Sequence, residues 1–130
     1  MMKANAKARS APAVLVVDDD KAIRAFLSEV LADEGFRVKT AVNGRTALDL
    51  LATGFRPCVI LLDLMMPVAN GWDFRSRQLR MPDVSAIPVA VLSGSNFSAE
   101  SLRIQFGDVG VFDKPILLPP LLQFVRSHCA

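Results

Sequence analysis

The chain has 130 residues, 52% of them apolar, and a formal net charge of +2, which is enough for one domain with a real core that needs no staples. No apolar run nears the roughly 20 residues of a membrane-spanning helix, and the start lacks the apolar stretch of a secretory signal, so a cytoplasmic location is expected. Lys3, Lys7 and Arg9, with no acid among them, more than account for the net charge; the rest is near neutral and offers no basic footprint for nucleic acid.

Residues 1–12 are polar, rich in Ala and Lys, and close at Pro12. They read as a flexible basic tail, leaving residues 13–128 as the folded domain. Val14 to Val17 is an unbroken apolar run, the mark of a strand buried on both faces, and it ends in Asp18-Asp19. Ile23, Phe26, Leu27, Val30 and Leu31 follow at helical spacing up to a stop at Gly35, with Asp20 favouring the first turn. Phe36 to Val42 is a short strand. Asn43 suits a cap for a helix buried through Ala47, Leu50 and Leu51 and stopped at Gly54.

Cys58 to Leu62 is the third strand and runs into Asp63, followed by a loop with Pro67 and Asn70-Gly71. A helix from about Trp72 to Leu79 comes next, with Trp72 and Phe74 covering the sheet. Val89 to Leu92 ends in Ser93, and a helix around Ala99 to Phe106 stops at Gly107. Val109 to Asp113 is the fifth strand and leads to Lys114-Pro115. The last helix spans roughly Leu118 to Ser127, its first turn tolerating Pro119 and Pro120. His128 reads as a solvated end residue. Cys58 reads as a small buried hydrophobe and Cys129 as a tail residue, the two unpaired.

Alternation of strand and helix along the whole chain implies a parallel sheet with helices on both faces and right-handed crossovers. Such sheets carry their chemistry at the carboxyl ends of the strands, which brings Asp18, Asp19, Asp63, Ser93 and Lys114 to one edge. Carboxylates crowded there repel one another unless a cation sits among them, and a hard cation such as Mg²⁺ takes carboxylate, water and phosphate oxygens. It would also neutralise charge on a phosphoryl group in transfer. Asp63 could then act as nucleophile and form an aspartyl phosphate, with Lys114 and Ser93 reaching the phosphoryl oxygens.

From Val14 to about Arg126 the chain resembles the receiver domain of two-component response regulators. The resemblance rests on Val16-Val17-Asp18-Asp19, on Leu62 to Pro67 leading to Asn70-Gly71, on Leu92-Ser93-Gly94 and on Asp113-Lys114-Pro115, in that order. It implies an α/β, flavodoxin-like doubly wound fold whose parallel sheet has the order 2-1-3-4-5. It also implies Asp63 as phosphoacceptor, and a Mg²⁺ (or Mn²⁺) site made of Asp18, Asp19, Asp63 and the Met65 backbone carbonyl. Ser93 corresponds to the hydroxyl that turns inward on phosphorylation, and Lys114, joined to Pro115 by a cis peptide, to the phosphate partner. The implied donor is a histidine kinase or a histidine phosphotransfer protein, and the implied output is a switched protein-binding surface on an unknown downstream protein, with no part for nucleic acid or membrane. Catalysis is limited to the chain's own phosphorylation and slow dephosphorylation. The starting methionines lean towards a stand-alone product.

The chain departs from that pattern at Val111, where most receivers carry an aromatic ring; Phe112, one residue on, faces the other side of the strand. Output is then expected to depend on the Ser93 loop and the following helix, with Leu102, Ile104 and Phe106 as apolar contact surface. Neither Met65 nor Ser95 offers a carboxylate or amide to orient an attacking water, so slow dephosphorylation is expected. The rival reading is a receiver-fold interaction module that works without phosphorylation. An aspartate-nucleophile phosphatase using Asp18 and Asp20 fits less well, since Lys21-Ala22 follow and no segment is long enough for a substrate cap. A flavin or nucleotide site would place amides, not three aspartates, at the first turn.

Overall fold

Three of the apolar runs become the central strands of a sheet, and those strands meet water on neither face. The computed structural model describes residues 11–94 and 97–129. Their order is β1 (Ala13–Val17), α1 (Lys21–Asp33), β2 (Arg37–Ala41), α2 (Gly44–Ala52), β3 (Val59–Asp63), α3 (Gly71–Leu79), β4 (Val89–Ser93), α4 (Ala99–Phe106), β5 (Gly110–Asp113) and α5 (Leu118–His128). All pairings are parallel and the strand order is β2-β1-β3-β4-β5, as the resemblance implied.

The central strands β1, β3 and β4 are buried throughout. The edge strands β2 and β5 are largely not, which is why only they carry exposed polar residues. Because successive strand residues face opposite sides, the sheet supports two cores. Leu15, Val17, Ile60, Leu62 and Val91 meet α2, α3 and α4 through Ala47, Leu51, Phe74, Leu102 and Phe106. Val14, Val16, Leu61, Ala90 and Leu92 meet α1 and α5 through Leu27, Leu31, Leu121, Leu122 and Val125.

Side chains close the helix starts. Asp20 accepts from the amides of Ala22 and Ile23, and Asn43 from that of Thr46. Asn70 and Asp73 form a reciprocal capping box, and Ser98 accepts from the Ser101 amide. Each such cap contributes on the order of 1 kcal/mol.

The structure corrects three expectations. Cys58 and Cys129 are joined in a disulfide, with Cα atoms 5.4 Å apart. They were expected to be unpaired, but α5 packs on the face of the sheet that holds β3, and its last turn lands beside the start of that strand. Leu102 and Phe106 are buried at 0% and 1% exposure, whereas Ile104 is 78% exposed; the expected apolar surface of α4 reduces to Ile104, because the other two form the helix's core stripe. Residues 1–10 of the expected tail lie outside the described residues, but Ala11 and Pro12 belong to the fold. The Ala11 carbonyl accepts from the Arg37 guanidinium at 2.8 Å, and the Pro12 carbonyl accepts from the Arg37 amide at 2.9 Å. His128 is exposed as expected, and its ring meets Phe124 at a tilt of 57°, 4.5 Å between centroids.

Candidate functional site

Strands β1, β3, β4 and β5 all point their carboxyl ends to one edge, and the five residues singled out from the sequence follow or close them there. Asp18 is fully buried. Its amide donates to the Ala41 carbonyl at 3.1 Å, and its Oδ1 accepts from the Asp20 amide at 2.9 Å. Its Oδ2 lies 3.0 Å from Lys114 Nζ, which also reaches Asp63 Oδ1 at 3.2 Å. One ammonium thus bridges two buried carboxylates. Asp19 is exposed, and one carboxylate oxygen from each of Asp18, Asp19 and Asp63 lies within 4.8 Å of the others. Such a set, two acids buried and one open to solvent, has the hard oxygen donors a divalent cation takes.

The electrostatics follow from this crowding. Burial pushes the Asp63 carboxyl up to about 6, and the Asp18 charge adds to the rise against the opposing pull of Lys114. Burial pulls the Lys114 ammonium down, but the hydrogen bond to Asp18 and the charges of Asp18 and Asp63 outweigh it, so its pKa is raised. Three carboxylates thus share one ammonium, an excess of acidic groups that raises Asp63 and that a bound cation would offset.

Ser93 is buried at the end of β4, and its hydroxyl donates to the Gly94 carbonyl at 2.7 Å. The Lys114 amide donates to the Ser93 carbonyl, also at 2.7 Å, so the two residues are tied at the backbone. The Lys114-Pro115 peptide is cis, as expected.

Close backbone packing fixes the loop after Asp63. The Gly71 amide donates to the Leu64 carbonyl at 2.9 Å, and a Cβ on Gly71 would stand 2.8 Å from the Asp63 carbonyl oxygen. Only glycine allows that approach. The loop's far side is held by the Gly44 amide on the Ala69 carbonyl at 2.8 Å. Within it Val68 adopts a φ of 72°, unusual for a β-branched residue. Met65, expected to lend its backbone carbonyl, is 67% exposed. Ser95, the other residue expected to affect dephosphorylation, lies outside the described residues.

Some residues near the site were not anticipated. Arg24 donates from Nη1 to the Asp18 carbonyl at 2.8 Å. Arg75 and Gln78 are buried on α3: Arg75 donates to the Phe106 carbonyl and to Gln78 Oε1, and Gln78 donates to the carbonyls of Val84 and Ile87. Their signal was position, not chemistry, since Gly71, Phe74, Arg75 and Gln78 stand at the spacing of one buried helix face. Burial lowers the Arg75 pKa, with Asp108 opposing. Trp72 donates its indole N–H to Gln105 on α4.

Comparison with known proteins agrees with this layout. A family model described as the response regulator receiver domain matches residues 14–126. The response regulator MprA of Mycolicibacterium vanbaalenii is 39% identical over 117 residues, covering 88% of this chain and 48% of that protein. A probable cyclic di-GMP phosphodiesterase of Vibrio cholerae is 35% identical over 116 residues, covering 88% of this chain and 26% of that protein. The chain thus spans half or less of these curated relatives. Among solved structures, the chemotaxis protein CheY4 of Vibrio cholerae matches with a TM-score of 0.80 and 31% identity, covering 92% of this chain and 99% of that one.

Proposed function

The chain belongs to the response regulator receiver domain family, and on that premise we propose that it accepts a phosphoryl group on Asp63 from a phosphohistidine of a histidine kinase or histidine phosphotransfer protein. The observation that carries this reading is the Asp63 carboxylate, buried beside Asp18 and Asp19 and 3.2 Å from Lys114 Nζ. A carboxylate oxygen of Asp63 attacks phosphorus, the P–N bond breaks, and the imidazole leaves with its electron pair and takes a proton from water.

Asp18, Asp19, Asp63 and the Met65 carbonyl would hold Mg²⁺ or Mn²⁺, which supplies charge neutralisation on the transferred group when bound. Lys114 exchanges its hold on Asp63 for a phosphoryl oxygen and keeps Asp18. The Ser93 hydroxyl, given up by the Gly94 carbonyl, donates to another. The acceptor side of a phosphorelay sits in the cytoplasm on this reading, and no described helix is long and apolar enough to cross a membrane. In that compartment thiols are held reduced, so the Cys58–Cys129 pair would be open for much of the time. Activities named for longer relatives, such as a methylesterase of Anaeromyxobacter dehalogenans matched over 30% of its length, belong with their other segments.

The test is intact mass after incubation with acetyl phosphate, with and without Mg²⁺, on the native chain and on Asp63→Ala. A single phosphoryl adduct that needs the metal and disappears in Asp63→Ala is expected. A folded native chain that takes no adduct from acetyl phosphate or from a phosphohistidine protein would leave the phosphorylation-independent interaction module as the reading.

A further inference from the structure

Val111 leaves the site without the expected ring on β5, yet rings are concentrated one layer away. Trp72, the only tryptophan of the chain, is half-buried at the start of α3. Its ring meets Phe97 edge-on at 5.3 Å between centroids and Phe106 at 5.7 Å. Its N–H donates to Gln105. Phe97 directly precedes Ser98, the residue that caps α4, whereas Gln105 and Phe106 form that helix's last turn. One side chain therefore grips α4 at both ends. Trp72 also follows Gly71, which is pressed onto the Asp63 carbonyl with no space for a Cβ and bonded to the Leu64 carbonyl. Val111 packs against the same core as Trp72, Phe97 and Phe106.

We infer that Trp72 is the positioning residue that couples the acceptor end of β3 to α4, setting how far Ile104 is offered to a partner. The inference rests on the phosphoacceptor reading above and adds to it the route by which output is read. Trp72 is joined through its backbone to Gly71, which is packed without spare room on the end of β3, and through its ring to α4, so a displacement at the first reaches the second through one rigid side chain. Two sources of displacement bear on it: the Asp63 loop through Gly71, and the segment that caps α4 through Phe97. The Ser93 side has a contact to lose, since its hydroxyl must leave the Gly94 carbonyl to reach a phosphoryl oxygen. Ile104 lies between Arg103 and Gln105 on the exposed side of α4, so any rotation of the helix that breaks the Gln105 bond re-aims it.

The experiment pairs two readouts on one sample of the full chain treated with acetyl phosphate and Mg²⁺: intact mass for the adduct, and Trp72 emission together with hydrogen exchange of the α4 amides. The native chain should show an adduct, a shift in emission and changed α4 exchange. Phe97→Leu and, separately, Gln105→Leu should form the adduct to the same extent but lose the emission shift and the change in α4 exchange. An adduct on the native chain with emission and exchange unchanged would overturn the role of Trp72, as would a full response in both variants. No adduct on the native chain would instead overturn the phosphoacceptor reading, and this inference with it.

Discussion

Asp18 and Lys114, 96 positions apart in the sequence, meet at 3.0 Å across the end of the sheet, the carboxylate fully buried and the ammonium partly so. Lys114 also offsets the charge of Asp63. Replacing it by methionine keeps the stem and removes the charge. Lys114→Met should destabilise the metal-free protein by roughly 2 to 3 kcal/mol, since two charge-assisted hydrogen bonds to buried acids are lost. Added Mg²⁺ should recover part of it. A urea midpoint equal to that of the native chain without metal would contradict the bridging role.

Asp63 gives a pH dependence of known sign. Its folded pKa of about 6 lies above the ordinary 3.8, so the folded state binds the proton more tightly than the unfolded one. The contribution of Asp63 to metal-free stability is then fullest below about pH 4, is lost as pH rises through 6 and is flat above. Asp63→Asn, which cannot ionise, should be more stable than the native chain at pH 8, by about 1 kcal/mol or more. The advantage should vanish near pH 4. Denaturant midpoints at the two pH values, taken with a chelator present, decide it.

Val68 holds a φ of 72° with its side chain 78% exposed, so it bears backbone strain without burying anything in return. Asn tolerates that conformation far better than a β-branched residue. Val68→Asn should raise stability by about 1 kcal/mol. The midpoint of thermal or urea unfolding is the measurement, and a loss of stability would show that the loop depends on valine itself.

The Cys58–Cys129 bond closes a separation of 71 residues. Constraining an unfolded chain over that span stabilises the fold by roughly 4 kcal/mol in the chain-entropy account. Reductant should therefore lower the urea midpoint markedly. Cys58→Ser should start from the lowered value and ignore reductant. A native midpoint indifferent to reductant would mean the bond adds nothing.

The sheet was legible because its strands are apolar runs punctuated by charged residues, and the site because those punctuating residues all fall at one edge. Asp20 at the first turn of α1 and the stops at Gly35 and Gly54, both at positive φ, were legible for the same local reason. What escaped depends on distance. Nothing around Cys58 or Cys129 marks them as neighbours; only the packing of α5 over β3 does that. The buried pair Arg75 and Gln78 escaped because polar identity argued for solvent while their spacing argued for the core, and the carbonyls at the end of α4 and in the segment before β4 that satisfy them are invisible in the local sequence. At α4 the spacing of Leu102 and Phe106 already held the answer, since residues one turn apart on an apolar stripe are the ones a sheet covers.

The disulfide also changes what kind of object the chain is. With Cys58 bonded to Cys129, everything from β3 to α5 lies inside a covalent ring that contains Asp63, Ser93 and Lys114, whereas Asp18 and Asp19 sit on the open strand before it. Pulled by its two ends, the oxidised protein can pay out only the segment ahead of Cys58. The half of the site bearing the nucleophile would stay a closed loop, and the acidic pair after β1 would be drawn away from it as one thread.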